Sequence, residues 1–138
     1  MIDSRAKGAR AEREAAKVWV ETMAAAGIQT TARRGQQFAG GTESPDVVTS
    51  QENIHLEVKR VEKGNPYQWV AQAVRDAGDK VPLVLHRRNG EEWLAIVRLR
   101  DVPRLAREVG PQAAGVVCAA ISADVPVQGV PAERGANA

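Results

Sequence analysis

The sequence predicts an α/β fold with a mixed central β-sheet flanked by helices. Three observations carry that expectation. The chain opens with a run rich in Ala, Glu, Lys and Arg, all strong helix formers, that stops at Gly27. Two pairs of short apolar stretches follow, each joined by a tight polar link, Gln51-Glu52 in the first and Asn89-Gly90 in the second. Between the pairs, Asn65-Pro66 has the form of a helix start. The order αβ-ββ-α-ββ-α packs most simply as helices against a mixed sheet.

Each element has its own justification. A helix is expected over 4–26, with Ser4 as N-cap. Residues 28–34 read as a strand because Ile28, Thr30 and Thr31 are β-branched. A loop holding Gly35, Gly40 and Gly41 spans 34–44. Strands over 45–50 and 53–61 form a hairpin. The second helix runs from Asn65-Pro66 to Ala77 and stops at Gly78. Strands over 81–88 and 92–99 flank the Asn-Gly turn, and Asp101 caps a third helix reaching Glu108. Residues 1–108 therefore read as one domain. Residues 109–138 are an Ala-, Gly-, Pro- and Val-rich extension with a short helix over 112–120, expected to pack on the core or on a partner subunit.

Composition narrows the function classes. The 138 residues are 43% hydrophobic and 26% charged, as in a soluble globular domain. No apolar run approaches the ~20 residues of a membrane span, so no membrane partner is expected. No charged and then apolar leader opens the chain, so a cytoplasmic rather than secreted protein is expected. One cysteine, Cys118, excludes an internal disulfide framework, and with only His55 and His86 beside it argues against structural zinc. The net charge is +2; residues 109–138 hold only Asp124, Glu133 and Arg134, a net −1, so the first 108 residues carry +3. Arginine outnumbers lysine, and guanidinium forks suit phosphate. Nucleic acid is thus a reasonable partner, against the plain alternative of a solvated surface.

The segment 53–61 carries the chemistry. Ile54, Leu56 and Val58 alternate with His55, Glu57 and Lys59, so a period of two sends the sets to opposite faces. Across the hairpin, Asp46 follows Pro45. A cooperating register brings Asp46 and Glu57 together beside Lys59. Two close carboxylates raise one pKa unless a cation sits between them, and a hard ion such as Mg²⁺ accepts such oxygen ligands. On the first helix, Glu12 shares a stripe with Ala16, Trp19 and Met23. An acid there is costly unless paired or metal-bound. Glu14 falls on the opposite face and is expected in solvent. Each feature alone has a plain reading: Glu57 and Lys59 as a surface ion pair, Pro45-Asp46 as turn chemistry, Glu12 as a partner of Arg13 or Arg33. Their ordered combination is far more specific.

That ordered set resembles the PD-(D/E)xK nuclease superfamily, and within it the archaeal-type Holliday-junction resolvases and their phage-encoded relatives. The matching residues are Lys7, Gly8, Glu12 and Arg13 on the first helix, then Pro45-Asp46, then Glu57-Val58-Lys59. Arg33-Arg34-Gly35-Gln36-Gln37 and Glu57-Val58-Lys59-Arg60 are similar to phage members in particular. The likeness spans residues 4–100 and finds no counterpart for the extension.

The resemblance implies a restriction-endonuclease-like core and a Mg²⁺-dependent endonuclease, with Mn²⁺ as a substitute, in a bacterial or phage-infected cell. Its substrate is branched DNA, a four-way junction cut by paired phosphodiester hydrolysis in a C₂ homodimer. The implied catalytic set is Glu12, Asp46, Glu57 and Lys59. Glu12, Asp46, Glu57 and the Val58 carbonyl are the implied metal ligands. Lys59 is read as an electrostatic stabiliser rather than a base, because an ammonium beside two carboxylates and a phosphate retains its charge. Implied DNA contacts are Lys7, Arg10, Arg13, Arg33, Arg34, Gln36, Gln37, Arg60 and Gln72, the last at a position where such nucleases place a polar residue near the site. Two competing readings are another nuclease of the same superfamily, for repair, restriction or packaging, and a basic DNA-binding module without chemistry.

Smaller signals read as structural. Trp19, Trp69 and Trp93 are expected as core anchors rather than base-stacking platforms. His55 either touches substrate or is a polar strand residue, the second being favoured. His86 reads as structural and Cys118 as a small buried hydrophobe.

Overall fold

Capping decides where the first helix begins. The computed structural model describes residues 3–35 and 45–110, and its first helix, α1, spans Ser4–Ala25. Asp3, not Ser4, is the N-cap: its carboxylate accepts the Arg5 amide at 3.0 Å. At the other end Gly27 adopts φ +76°, which a Cβ would disfavour. The Gly27 and Ile28 amides then donate to the Ala24 and Met23 carbonyls, each at 2.9 Å, closing the helix in a Schellman motif. Ile28 is consumed by that turn. The strand expected over 28–34 accordingly shortens to β1, Ala32–Arg34.

The remaining elements are β2 (Val47–Thr49), β3 (Ile54–Lys59), α2 (Pro66–Ala77), β4 (Val81–His86), β5 (Leu94–Ile96) and α3 (Val102–Val109). Asn65 caps α2 through its side-chain oxygen, which accepts the Tyr67 amide at 2.9 Å, and Pro66 occupies the first turn where no amide is needed. Asp101 precedes α3 as expected, but its carboxylate caps nothing. It accepts Arg98 Nε at 2.7 Å instead.

The strands form one mixed sheet in chain order, β1-β2-β3-β4-β5. All pairs are antiparallel except β3 with β4, and α2 provides the crossover that a parallel pair requires. α1 covers one face. Ala15, Ala16 and Trp19 meet Val47, Ile54, Leu56, Leu83 and Leu85 there, with Leu105 and Val109 of α3 packed at the margin. α2 covers the other face over β3 and β4, burying Ala73 and Ala77. The central strand β3 is thus enclosed on both sides, and His55 is only 1% exposed. Trp19 is buried, Trp93 packs at the core margin, and Trp69 stacks on His86 with ring centroids 4.5 Å apart.

Gln36, Gln37, Gly40, Gly41, Cys118 and the helix expected over 112–120 lie outside the described residues. Among the described residues, no helix is long and apolar enough to cross a membrane.

Candidate active site

The β2–β3 register builds the site. Val47 pairs with Leu56, so one step outward Asp46 stands opposite Glu57 and their side chains project to the same side. The Asp46 carboxylate accepts the Val58 amide at 2.9 Å, and the Asp46 carbonyl accepts the Gly35 amide at 2.9 Å. Glycine is required at 35, because a Cβ there would lie 2.1 Å from the Pro45 carbonyl oxygen.

Asp46 registers the other three groups electrically. Its carboxyl is pushed up from 3.8 to about 6, chiefly by burial and next by the charge of Glu57. The Val58 amide opposes the shift, Glu12 adds to it, and Lys59 subtracts from it. Glu57, Glu12 and Lys59 therefore each lie within electrostatic reach of Asp46.

Hydrogen bonds fix Glu57 and Lys59. Gln72 of α2 donates to Glu57 Oε1 at 3.3 Å, while its own Oε1 accepts Lys59 Nζ at 2.8 Å. One carboxamide thus holds the acid by its donor and the ammonium by its acceptor, which sets its orientation. The other Glu57 oxygen lies 3.2 Å from His55 Nε2. Of the two readings of His55, the structure has the favoured one, a polar strand residue: it lies in β3, buried, with its ring against Glu57. Asp76, which the sequence reading missed, completes a cluster with His55 and Glu57 whose potential ligand atoms all lie within 4.8 Å. Its spacing of four from Gln72 on α2 was the available signal.

Glu12 is buried and accepts Arg34 Nε at 2.5 Å. The sequence named Arg13 or Arg33 as its partner, and both of those are exposed. Arg34, expected on DNA, commits this donor inside the protein. Glu14, expected in solvent, accepts from Arg87 and from Trp93 Nε1, the latter at 3.0 Å.

Cations line the approach. Glu12, Val58 and Lys59 border an open cleft of about 380 Å³ together with Lys7 and Arg60. A second cleft of about 550 Å³ shares Lys7 and Arg60 and adds Arg10 and Asn89. Arg60 is braced by Asn89 Oδ1 at 2.9 Å and by Glu62 at 3.6 Å, whereas Lys7 and Arg10 are exposed. Among the described residues, the acids grouped closely enough to share an ion are Glu57 and Asp76 with His55; Asp46 and Glu12 fall outside that group. Comparison with known proteins finds no relative: no family model matches the chain, and no curated protein or solved structure matches it.

Proposed function

We propose that this chain is a Mg²⁺-dependent DNA endonuclease with a restriction-endonuclease-like core, acting on four-way junctions as a homodimer. The observation that carries the reading is the crowding at Asp46. A partly buried carboxyl flanked by Glu57 and Glu12 is electrostatically unfavourable by itself, and a divalent cation relieves it. Asp46, Glu57 and Glu12, with the Val58 carbonyl, are the groups that would hold the ion. A Mg²⁺ ion bound there supplies a water of lowered pKa and polarises the scissile phosphate.

The chain's own residues do the rest. Lys59, held by Gln72, presents an ammonium to the charge that builds on the phosphate. Lys7, Arg10 and Arg60 line the clefts leading away from the acids along α1, a path suited to the phosphate backbone. A four-way junction has two-fold symmetry and needs two cuts, and a C₂ pair of subunits supplies both.

The test is cleavage of a four-way junction beside matched duplex and flap DNA, with Mg²⁺, Mn²⁺ and EDTA. Paired symmetric nicks on the junction alone, lost in EDTA, are expected. Asp46→Ala and Glu57→Ala should bind the junction and not cut it. Cutting of duplex or flap instead assigns another nuclease role within the superfamily. Binding without cutting under every metal condition leaves a DNA-binding module and removes the enzyme reading.

A further inference from the structure

Building on that proposed cation site, we infer that His55 is a positioning residue that fixes the Glu57 carboxylate, with Asp76 of α2 in the same cluster. Three features support this. His55 is 1% exposed in the central strand, opposite Pro82 of β4, where an imidazole is costly unless hydrogen-bonded. It lies two residues from Glu57, so both side chains share a face. Its Nε2 is 3.2 Å from Glu57 Oε2, the oxygen that Gln72 does not hold.

The chemistry of the contact sets its direction. An ionised carboxylate only accepts, so the ring nitrogen facing it carries the hydrogen. His55 Nε2 and Gln72 Nε2 then each donate to one oxygen of Glu57, and the carboxylate cannot rotate without breaking a bond. Asp76, half-buried on α2, brings a carboxylate oxygen within 4.8 Å of the same imidazole and of Glu57. A group that orients a ligand carboxylate in this way changes metal affinity by ~10–100-fold when removed.

The experiment measures Mn²⁺ binding to the full chain by calorimetry and electron paramagnetic resonance, without DNA. His55→Leu keeps the volume and removes the donor; His55→Gln returns an N–H near the Nε2 position. His55→Leu is expected to weaken Mn²⁺ binding by about tenfold or more, and His55→Gln to restore it to within about threefold of wild type. Junction binding in EDTA stays unchanged in both. Wild-type affinity in a natively folded His55→Leu protein overturns the inference and leaves the cation site standing. A nitrogen hyperfine coupling that marks His55 itself as a ligand overturns it too. Absence of Mn²⁺ binding by wild type removes both this inference and the metal-dependent reading. If His55→Leu does not fold, Asp76→Asn takes its place: a loss of at least about threefold supports the inference, and unchanged affinity overturns it.

Discussion

Asp46→Asn should stabilise the protein in a pH-dependent way, and on the nuclease reading proposed above it also removes cleavage. The wild-type carboxyl titrates at about 6 in the folded protein against 3.8 for the ordinary group. The unfolded chain therefore releases this proton first as pH rises, and the folded state retains it. Stability is fully present below 3.8, is lost as pH climbs to about 6, and stays lost above that. At ~1.4 kcal/mol per pH unit, the interval corresponds to about 3 kcal/mol. Asparagine has no charge to desolvate or to repel Glu57 and Glu12, and it keeps an oxygen for the Val58 amide. It should recover about 1–3 kcal/mol at pH 7.5 and little at pH 4. For a domain of this size, ~2 kcal/mol raises Tm by roughly 5–10 °C. Urea melts followed by circular dichroism, from pH 4 to 8 in EDTA, measure the difference. A difference independent of pH, or a variant less stable than wild type at pH 7.5, refutes the reasoning about crowded carboxylates.

Three further substitutions test the frame around the site. Leu56→Ala empties a fully buried core position on β3 and should cost about 3 kcal/mol in urea melts. Trp19→Phe removes the indole N–H that donates to Gln51 Oε1 at 2.9 Å and Thr49 Oγ1 at 3.2 Å; a loss of about 1–2 kcal/mol by the same measurement is expected. Gly35→Ala drives a methyl into the Pro45 carbonyl, which is rigid backbone, so thermal melts should show destabilisation of roughly 1–3 kcal/mol and amide exchange should show weakened pairing of β1 with β2.

What the sequence disclosed was local, and what it hid depended on distant partners. Asn65-Pro66 marked the start of α2 because a cap and a proline act within one turn. The alternation in β3 put Glu57 and Lys59 on one face, and the apolar stripe of α1 exposed Glu12 as an anomaly. Glu14 was misread because its partners, Arg87 and Trp93, come from the far end of the chain. The depth of His55 was hidden because alternation reveals a polar face without revealing that α2 covers it. The bond from Arg34 to Glu12 was hidden because no local rule says which of two adjacent arginines points toward α1. The pairing register supplies that: Arg34 sits opposite Val47, on the side that α1 covers. Asp101 satisfied the cap pattern by identity while Arg98 claimed its carboxylate.

The bond from the Val58 amide to the Asp46 carboxylate also makes the backbone a reporter of that carboxylate's state. A side chain stands there where a neighbouring strand would normally offer a carbonyl. Any event that withdraws electron density from that carboxylate lengthens or redirects the bond, and the amide proton resonance of Val58 moves with it. Nuclear magnetic resonance of uniformly ¹⁵N-labelled protein can therefore follow any change at this carboxylate, its titration included, from one native signal, with no added probe.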